Sequence, residues 1–161
     1  MSANPEVTVA AVVERDGRFL IVEERIGGRL VFNQPAGHVE DRETLVEAVI
    51  RETREESAWC FHPEAMVGTY LWRNPNTGRS YLRFAFCGSV DDFQLQRPLD
   101  TGIVRAVWLT HEQLLAQAAR LRSPLVLRCI EDYLLGKRTG LDTVACLGLD
   151  NAPQVSAVAN L

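Results

Sequence analysis

Glu52, Glu55 and Glu56 stand at i, i+3 and i+4, so on a helix their carboxylates share one face. That arrangement weakens a helix. Like charges at these spacings cost on the order of 0.2–0.5 kcal/mol per pair. Glu55 and Glu56 also lie near the C-terminal end, where the macrodipole disfavours anions. A solvated acidic face has the same spacing, but a hard divalent cation gives the cost a reason. Mg²⁺ takes oxygen ligands and is commonly shared between a few carboxylates and substrate phosphates. Bound there, it would suit hydrolysis of a phosphoanhydride, neutralising phosphate oxygens and lowering the pKa of a coordinated water.

The elements that must position these acids are legible. Thr44-Leu45-Val46-Glu47 has capping-box spacing, which predicts a helix start. No Gly or Pro interrupts up to Ser57. Leu45, Val46, Val49, Ile50 and Thr53 fall on one arc at roughly 100° per residue and are expected to face a core. Gly37 to Trp59 therefore reads as a loop entering a helix.

This stretch resembles the signature of the Nudix hydrolases, Gly-x5-Glu-x7-Arg-Glu-U-x-Glu-Glu-x-Gly-U, with U an apolar residue. Gly37, Glu43, Arg51, Glu52, Glu55 and Glu56 match in identity and spacing. Thr53 replaces the usual aliphatic residue, Ala58 the usual glycine, and Trp59 fills the last apolar slot. Ala58 bears on how the helix ends, because Gly is favoured just past a helix. The resemblance implies an α/β/α sandwich with a mixed sheet between helices. It implies Mg²⁺, with Mn²⁺ as a substitute, held by Glu52, Glu55, Glu56 and the backbone carbonyl of Gly37. Arg51 would orient a glutamate through charge-assisted hydrogen bonds, and Glu43 would brace the loop. The general base is either Glu52 or an acid from the loop before a late strand. Here that loop offers Asp100.

The rest of the chain fits such a fold. Val7 to Val13 is a β-branched run, and the Asp16-Gly17 turn leads into a second strand over Phe19 to Glu24. Leu30 to Asn33 is short and extended. Strands are expected over Met66 to Arg73, Ser80 to Ser89 and Val104 to Leu109, with a turn at 74–78. Thr110 caps a short helix, and Ser123-Pro124 starts another that Gly136 ends. Strands, helix, strands and helices give an α/β or α+β class.

With 161 residues the chain suits one domain, over 1–139, followed by an apolar, sparsely charged tail over 140–161. Hydrophobic residues at 47% and charged residues at 24% are ordinary for a globular protein. A net charge of −4 with no basic stripe argues against binding a nucleic acid polymer. No apolar run has membrane-spanning length, and Met1 to Glu6 lacks a signal-peptide pattern. Cys60, Cys87, Cys129 and Cys146 have no pairing pattern, and the scattered histidines speak against zinc. A cytoplasmic monomer or homodimer acting on a nucleotide or pyrophosphate ester is expected.

Substrate contacts must come from outside the signature. Gln34 can hydrogen-bond a substrate, Trp72 and Tyr81 can stack on a planar ring, and Arg83 alternates to one face of its strand. Arg122-Ser123 opens a helix whose N-terminus favours phosphate, or is a plain cap. Asn33 to His38, Leu82-Arg83-Phe84 and Leu121 to Val126 are similar to bacterial phosphatases of the family, a likeness running from Val7 to about Arg138. It implies hydroxymethylpyrimidine diphosphate, thiamine diphosphate and nucleoside di- and triphosphates as substrates. Other Nudix substrates (ADP-ribose, dinucleoside polyphosphates, oxidised nucleotides) are the alternative, as is a non-catalytic nucleotide sensor.

Overall fold

The computed structural model describes residues 4–149. Its strands are β1 (Glu6–Arg15), β2 (Arg18–Ile26), β3 (Arg29–Asn33), β4 (Ala36–His38), β5 (Cys60–Arg73), β6 (Ser80–Asp91) and β7 (Ile103–Thr110). Its helices are α1 (Leu45–Ser57), α2 (His111–Ala116) and α3 (Leu125–Leu134). β1 is buried on both faces from Thr8 to Val13, as its continuous apolar run requires of a central strand. It pairs in parallel with β6, from Glu6 opposite Tyr81 to Val13 opposite Gly88. The strand order is β3-β2-β1-β6-β5, with β4 pairing with β1 and β7 with β2. The other pairings are antiparallel, so the sheet is mixed.

Alternate residues of β1 feed opposite cores. Val9, Ala11 and Val13 pack with Ala48 and Val49 of α1. Val12 packs with Cys129 and Ile130 of α3. Helices thus cover both faces, the α/β/α arrangement that the family resemblance implies. β1 turns into β2 through Asp16 and Gly17, both in the left-handed region (φ 53° and 73°), which a tight hairpin demands.

Three local expectations are corrected. β5 starts at Cys60, not Met66. Pro63 masks its start in the sequence, but β5 is an edge strand and its register shifts between Pro63 and Ala65, where a proline is tolerated. Ser123 does not cap α3, whose N-terminus carries no side-chain cap bond. Of the predicted core arc of α1, Val49 and Thr53 are buried, while Leu45, Val46 and Ile50 are only partly so. Of the tail, Leu141 and Val144 pack against the α1-side core, and Thr139 exchanges backbone hydrogen bonds with Met66. Residues 150–161 lie outside the described residues. Among the described residues, no helix is long and apolar enough to cross a membrane. All four cysteines are free.

Candidate active site

The capping box fixes where α1 begins, and hence which way its acids point. The Thr44 hydroxyl accepts from the Glu47 amide at 3.1 Å, and the Glu47 carboxylate accepts from the Thr44 amide at 2.9 Å. At the other end Ala58 adopts the left-handed conformation (φ 62°), and its amide donates to the Arg54 carbonyl. The glycine-type helix end is therefore kept without the glycine, at a cost of roughly 1–2 kcal/mol.

The glutamates do not form a solvated face. Glu52 and Glu56 are each only 8% exposed. Both turn toward the loop that carries β4. The Ala36 amide donates to the Glu56 carboxylate at 2.9 Å. Glu52 lies so close to Gly37 that a Cβ there would sit 2.2 Å from its carboxyl carbon. Gly37 is needed for this contact rather than for its φ angle. Burial pushes the Glu56 carboxyl up to about 9, with repulsion from Glu52, Glu24 and Asp100 adding to it. Burial also raises Glu52, against the opposing effect of Arg51.

Arg51 ties the site together. Its Nε and Nη2 donate to the two oxygens of Glu43 at 2.6 and 2.9 Å. Its Nη1 donates to Glu52 at 2.8 Å and to Glu55 at 3.1 Å, and Nη2 also reaches the His38 carbonyl at 3.0 Å. Glu43 in turn accepts from the Glu40 amide at 3.0 Å, pinning the loop. The bonds from Arg51 hold the Glu43 carboxyl below its usual range. Asp100 is exposed. Its amide donates to the Glu55 carbonyl at 2.9 Å and its carboxylate accepts from the Thr101 amide.

These acids suit a hard cation in chemistry. They supply carboxylate oxygens, two of them buried together without a cation of their own except Arg51. Among the described residues, however, no three acids, histidines or cysteines converge into a ready ligand set. The reason is local: Arg51 holds Glu52 and Glu55 while Glu56 is bonded to Ala36. A cation would have to take Glu52 or Glu55 over from Arg51.

Beside this loop lies a cavity of about 210 Å³, lined among others by Ala36, Gly37 and His38 from the loop. Trp72 and Tyr81 form its aromatic shelf, stacked at 5.9 Å and 22°. Arg83, Arg122 and Ser123 also line it. The predicted substrate residues thus come together, apart from Gln34. Gln34 is 1% exposed and sits behind the wall, donating to the Val126 carbonyl at 2.7 Å and accepting from Arg83 at 3.3 Å. It braces Arg83. Arg83 itself is 7% exposed, where a lone strand arginine more often reaches solvent. Burial lowers its pKa, and no carboxylate among the described residues lies within ion-pair distance.

Sequence reasoning missed Thr8, Glu24 and Asn33, which also line the cavity. No spacing motif marks them. The available signal was a polar side chain interrupting an apolar strand. Thr8 Oγ1, Glu24 Oε1, Asn33 Oδ1, Arg83 Nε and Ser123 Oγ are all buried without a hydrogen-bond partner. Buried polar atoms are normally satisfied, so five such atoms packed into the walls of one cavity set this region apart from the apolar core.

The family model described as the NUDIX domain matches residues 4–129. The chain is 41% identical over 140 residues to the protein named Phosphatase NudJ of Escherichia coli strain K12, covering 87% of this chain and 90% of that one. Among solved structures, a NUDIX hydrolase from Nitrosomonas europaea superposes with a TM-score of 0.86 at 48% identity, covering 88% of this chain and 96% of the other. A MutT NUDIX hydrolase from Burkholderia pseudomallei shares the fold at a TM-score of 0.68 and 18% identity. An acidic helix braced by arginine, a glycine packed on a glutamate and these likenesses agree: the chain belongs to the Nudix hydrolase family and is a hydrolase.

Proposed function

We propose that this protein is a Mg²⁺-dependent phosphatase that cleaves the phosphoanhydride bond of small pyrophosphate esters. Its substrates in this reading are nucleoside di- and triphosphates, hydroxymethylpyrimidine diphosphate and thiamine diphosphate. Nudix hydrolases work with divalent metal ions, and the relatives at 41% identity bear the name of a phosphatase. The single observation that carries the reading is the placement of the cavity. Gly37 separates it from Glu52, so a ligand whose ring enters the cavity brings its phosphates to the acidic helix.

Glu52, Glu55, Glu56 and the Gly37 carbonyl would hold the metal, which supplies charge neutralisation and an activated water. Arg51 positions Glu52 and Glu55, and Glu43 fixes Arg51. Glu52, already near the loop, takes the water's proton, with Asp100 as the other acid that can reach the site. Water adds to the terminal phosphorus, the bridging oxygen leaves with its electron pair, and phosphate and the ester shortened by one phosphate result, a monophosphate from a diphosphate and a diphosphate from a triphosphate. Residues 1–139 form the catalytic domain, and the free thiols suit the cytoplasm. Mn²⁺ substitutes for Mg²⁺.

Incubation with Mg²⁺ and a panel of diphosphates, with products identified, tests this. Phosphate plus thiamine monophosphate from thiamine diphosphate is expected. AMP plus ribose phosphate from ADP-ribose as the main reaction would replace this reading with a pyrophosphatase. No turnover of any compound, with tight nucleotide binding, would replace it with a sensor.

A further inference from the structure

The chain between β6 and β7 crosses the end of the acidic helix and is anchored there twice. Asp92 (φ 44°) turns it out of β6, and Gly102 (φ 92°) turns it into β7. Glu55 and Ala58, at the C-terminal end of α1, have carbonyls that no later helical turn can satisfy. The Gln94 amide donates to the Ala58 carbonyl and the Asp100 amide to the Glu55 carbonyl, both at 2.9 Å. Residues 94–100 therefore form a strap clipped across the end of the helix that carries Glu52, Glu55 and Glu56. Phe93 adds a side-chain anchor. Its ring lies 4.8 Å from that of Trp59, tilted at 39°. Trp59 is itself fixed. The Arg15 guanidinium stands 4.9 Å from the Trp59 ring centroid and 5.0 Å from that of Trp108, and its Nη2 donates to the Val90 carbonyl at 2.7 Å.

We infer that Phe93 is a positioning residue for the hydrolysis: stacked on the Arg15-braced Trp59, it holds the strap closed on α1 and so keeps Asp100 beside the acidic helix. The inference rests on the proposed reading in which Asp100 reaches the metal site. Three observations lead to it. Asp100 stands where an acid is disfavoured, because the C-terminal end of a helix repels anions. Its charge also adds to the upward push on both Glu52 and Glu56. An acid in that place needs a tether. The Asp100 carboxylate accepts only a local bond, from the Thr101 amide at 2.9 Å, so the strap's backbone rather than the side chain sets where it stands. Phe93, finally, is 48% exposed. It adds little to the core, and what it covers is Trp59.

Trp59 follows the helix by two residues, so the ring that receives Phe93 keeps its place relative to the glutamates. An aromatic pair adds stabilisation beyond the area it buries. Without the Phe93 ring the strap keeps its two backbone clips but opens at the Gln94 end, and Asp100 spends less time in place.

The test is steady-state phosphate release by the full chain with Mg²⁺ and thiamine diphosphate. Phe93→Ala should lower kcat about ten-fold and leave KM within about two-fold, because the strap bears on the reacting end rather than on the bound ester. Phe93→Tyr keeps the ring and should keep the wild-type rate. In an Asp100→Asn background Phe93→Ala should change kcat by less than about two-fold. Wild-type kcat in Phe93→Ala, or the same ten-fold loss in the Asp100→Asn background, overturns the inference. Wild-type turnover by Asp100→Asn also overturns it and leaves the proposed function standing, with Glu52 taking the proton. Should Phe93→Ala fail to fold, Phe93→Leu keeps the bulk without the ring and carries the same expectations. No phosphate release by the wild type from any diphosphate removes both readings.

Discussion

Gly37→Ala tests the contact that joins the loop to the acidic helix. A Cβ at this position would lie 2.2 Å from the Glu52 carboxyl carbon and 2.2 and 2.4 Å from its oxygens, whereas ordinary contact begins at 3.4 Å. The carboxylate must therefore retreat by the difference between 3.4 and 2.2 Å, about 1.2 Å. Gly37 has no left-handed φ, so backbone strain adds nothing. What is lost is position. A displacement of about 1 Å at a reacting centre can cost on the order of 10²-fold in rate. The stability cost is small, because the retreating group is the end of a side chain. It disturbs the 2.8 Å bond from Arg51, and loosening rather than losing that bond costs about 1 kcal/mol. A fall of roughly 2–4 °C in melting temperature follows. Steady-state phosphate release and thermal melting measure both, first alone and then in a Glu52→Ala background. There the clash and the Glu52 contribution are both gone, so Gly37→Ala should change turnover less than about three-fold. Wild-type turnover in Gly37→Ala, or an equal loss in the Glu52→Ala background, refutes the reasoning.

Arg51→Lys cannot reproduce the paired bonds to Glu43 together with those to Glu52 and Glu55. A loss of about 10–100-fold in metal affinity or turnover is expected, read as a rise in the Mg²⁺ concentration at half-maximal rate. Asp132 lies outside the site and gives a pH signature of the fold. Burial alone would raise its carboxyl, but bonds from Lys137 (2.7 Å), Arg128 (3.0 Å) and Tyr70 (2.9 Å) outweigh this and hold it below its ordinary value of 3.8. Its folded value is depressed, so its stabilisation is present above 3.8 and is lost as pH falls through the folded value. Urea denaturation between about pH 5 and 2 should show a shallower acid loss in Asp132→Asn than in the wild type.

The fold was legible because periodicity and turn chemistry agree along most of the chain. The β1 run, the Asp16-Gly17 hairpin and the Thr44 capping box each read directly. The start of β5 did not, because a proline on an edge strand looks like a break until the edge is known. The acidic residues of the site were legible by spacing, but their direction was not. The sequence places Glu52 and Glu56 on an arc beside the core, and only the approach of the β4 loop buries them. The cavity was half legible. Trp72, Tyr81 and Arg83 lie in register across β5 and β6, which alternation suggests. Glu24 and Asn33 come from a different hairpin, and their convergence depends on the packing of β2 and β3 beside α3's entry. No local pattern encodes that meeting.

The account stands or falls on the glutamates of α1, and Glu56 is the sharpest probe. Its folded value is raised from 4.5 to about 9. The metal-free protein therefore loses stability as pH rises through that interval, having had it in full below 4.5. Gln cannot ionise and keeps the acceptor for the Ala36 amide, so metal-free Glu56→Gln should melt above the wild type at pH 8. Turnover is the direct test. With Mg²⁺ and thiamine diphosphate, Glu56→Gln should release phosphate orders of magnitude more slowly than the wild type while remaining folded. Wild-type-like phosphate release by a folded Glu56→Gln would contradict the assignment of this helix as the metal-binding heart of the enzyme.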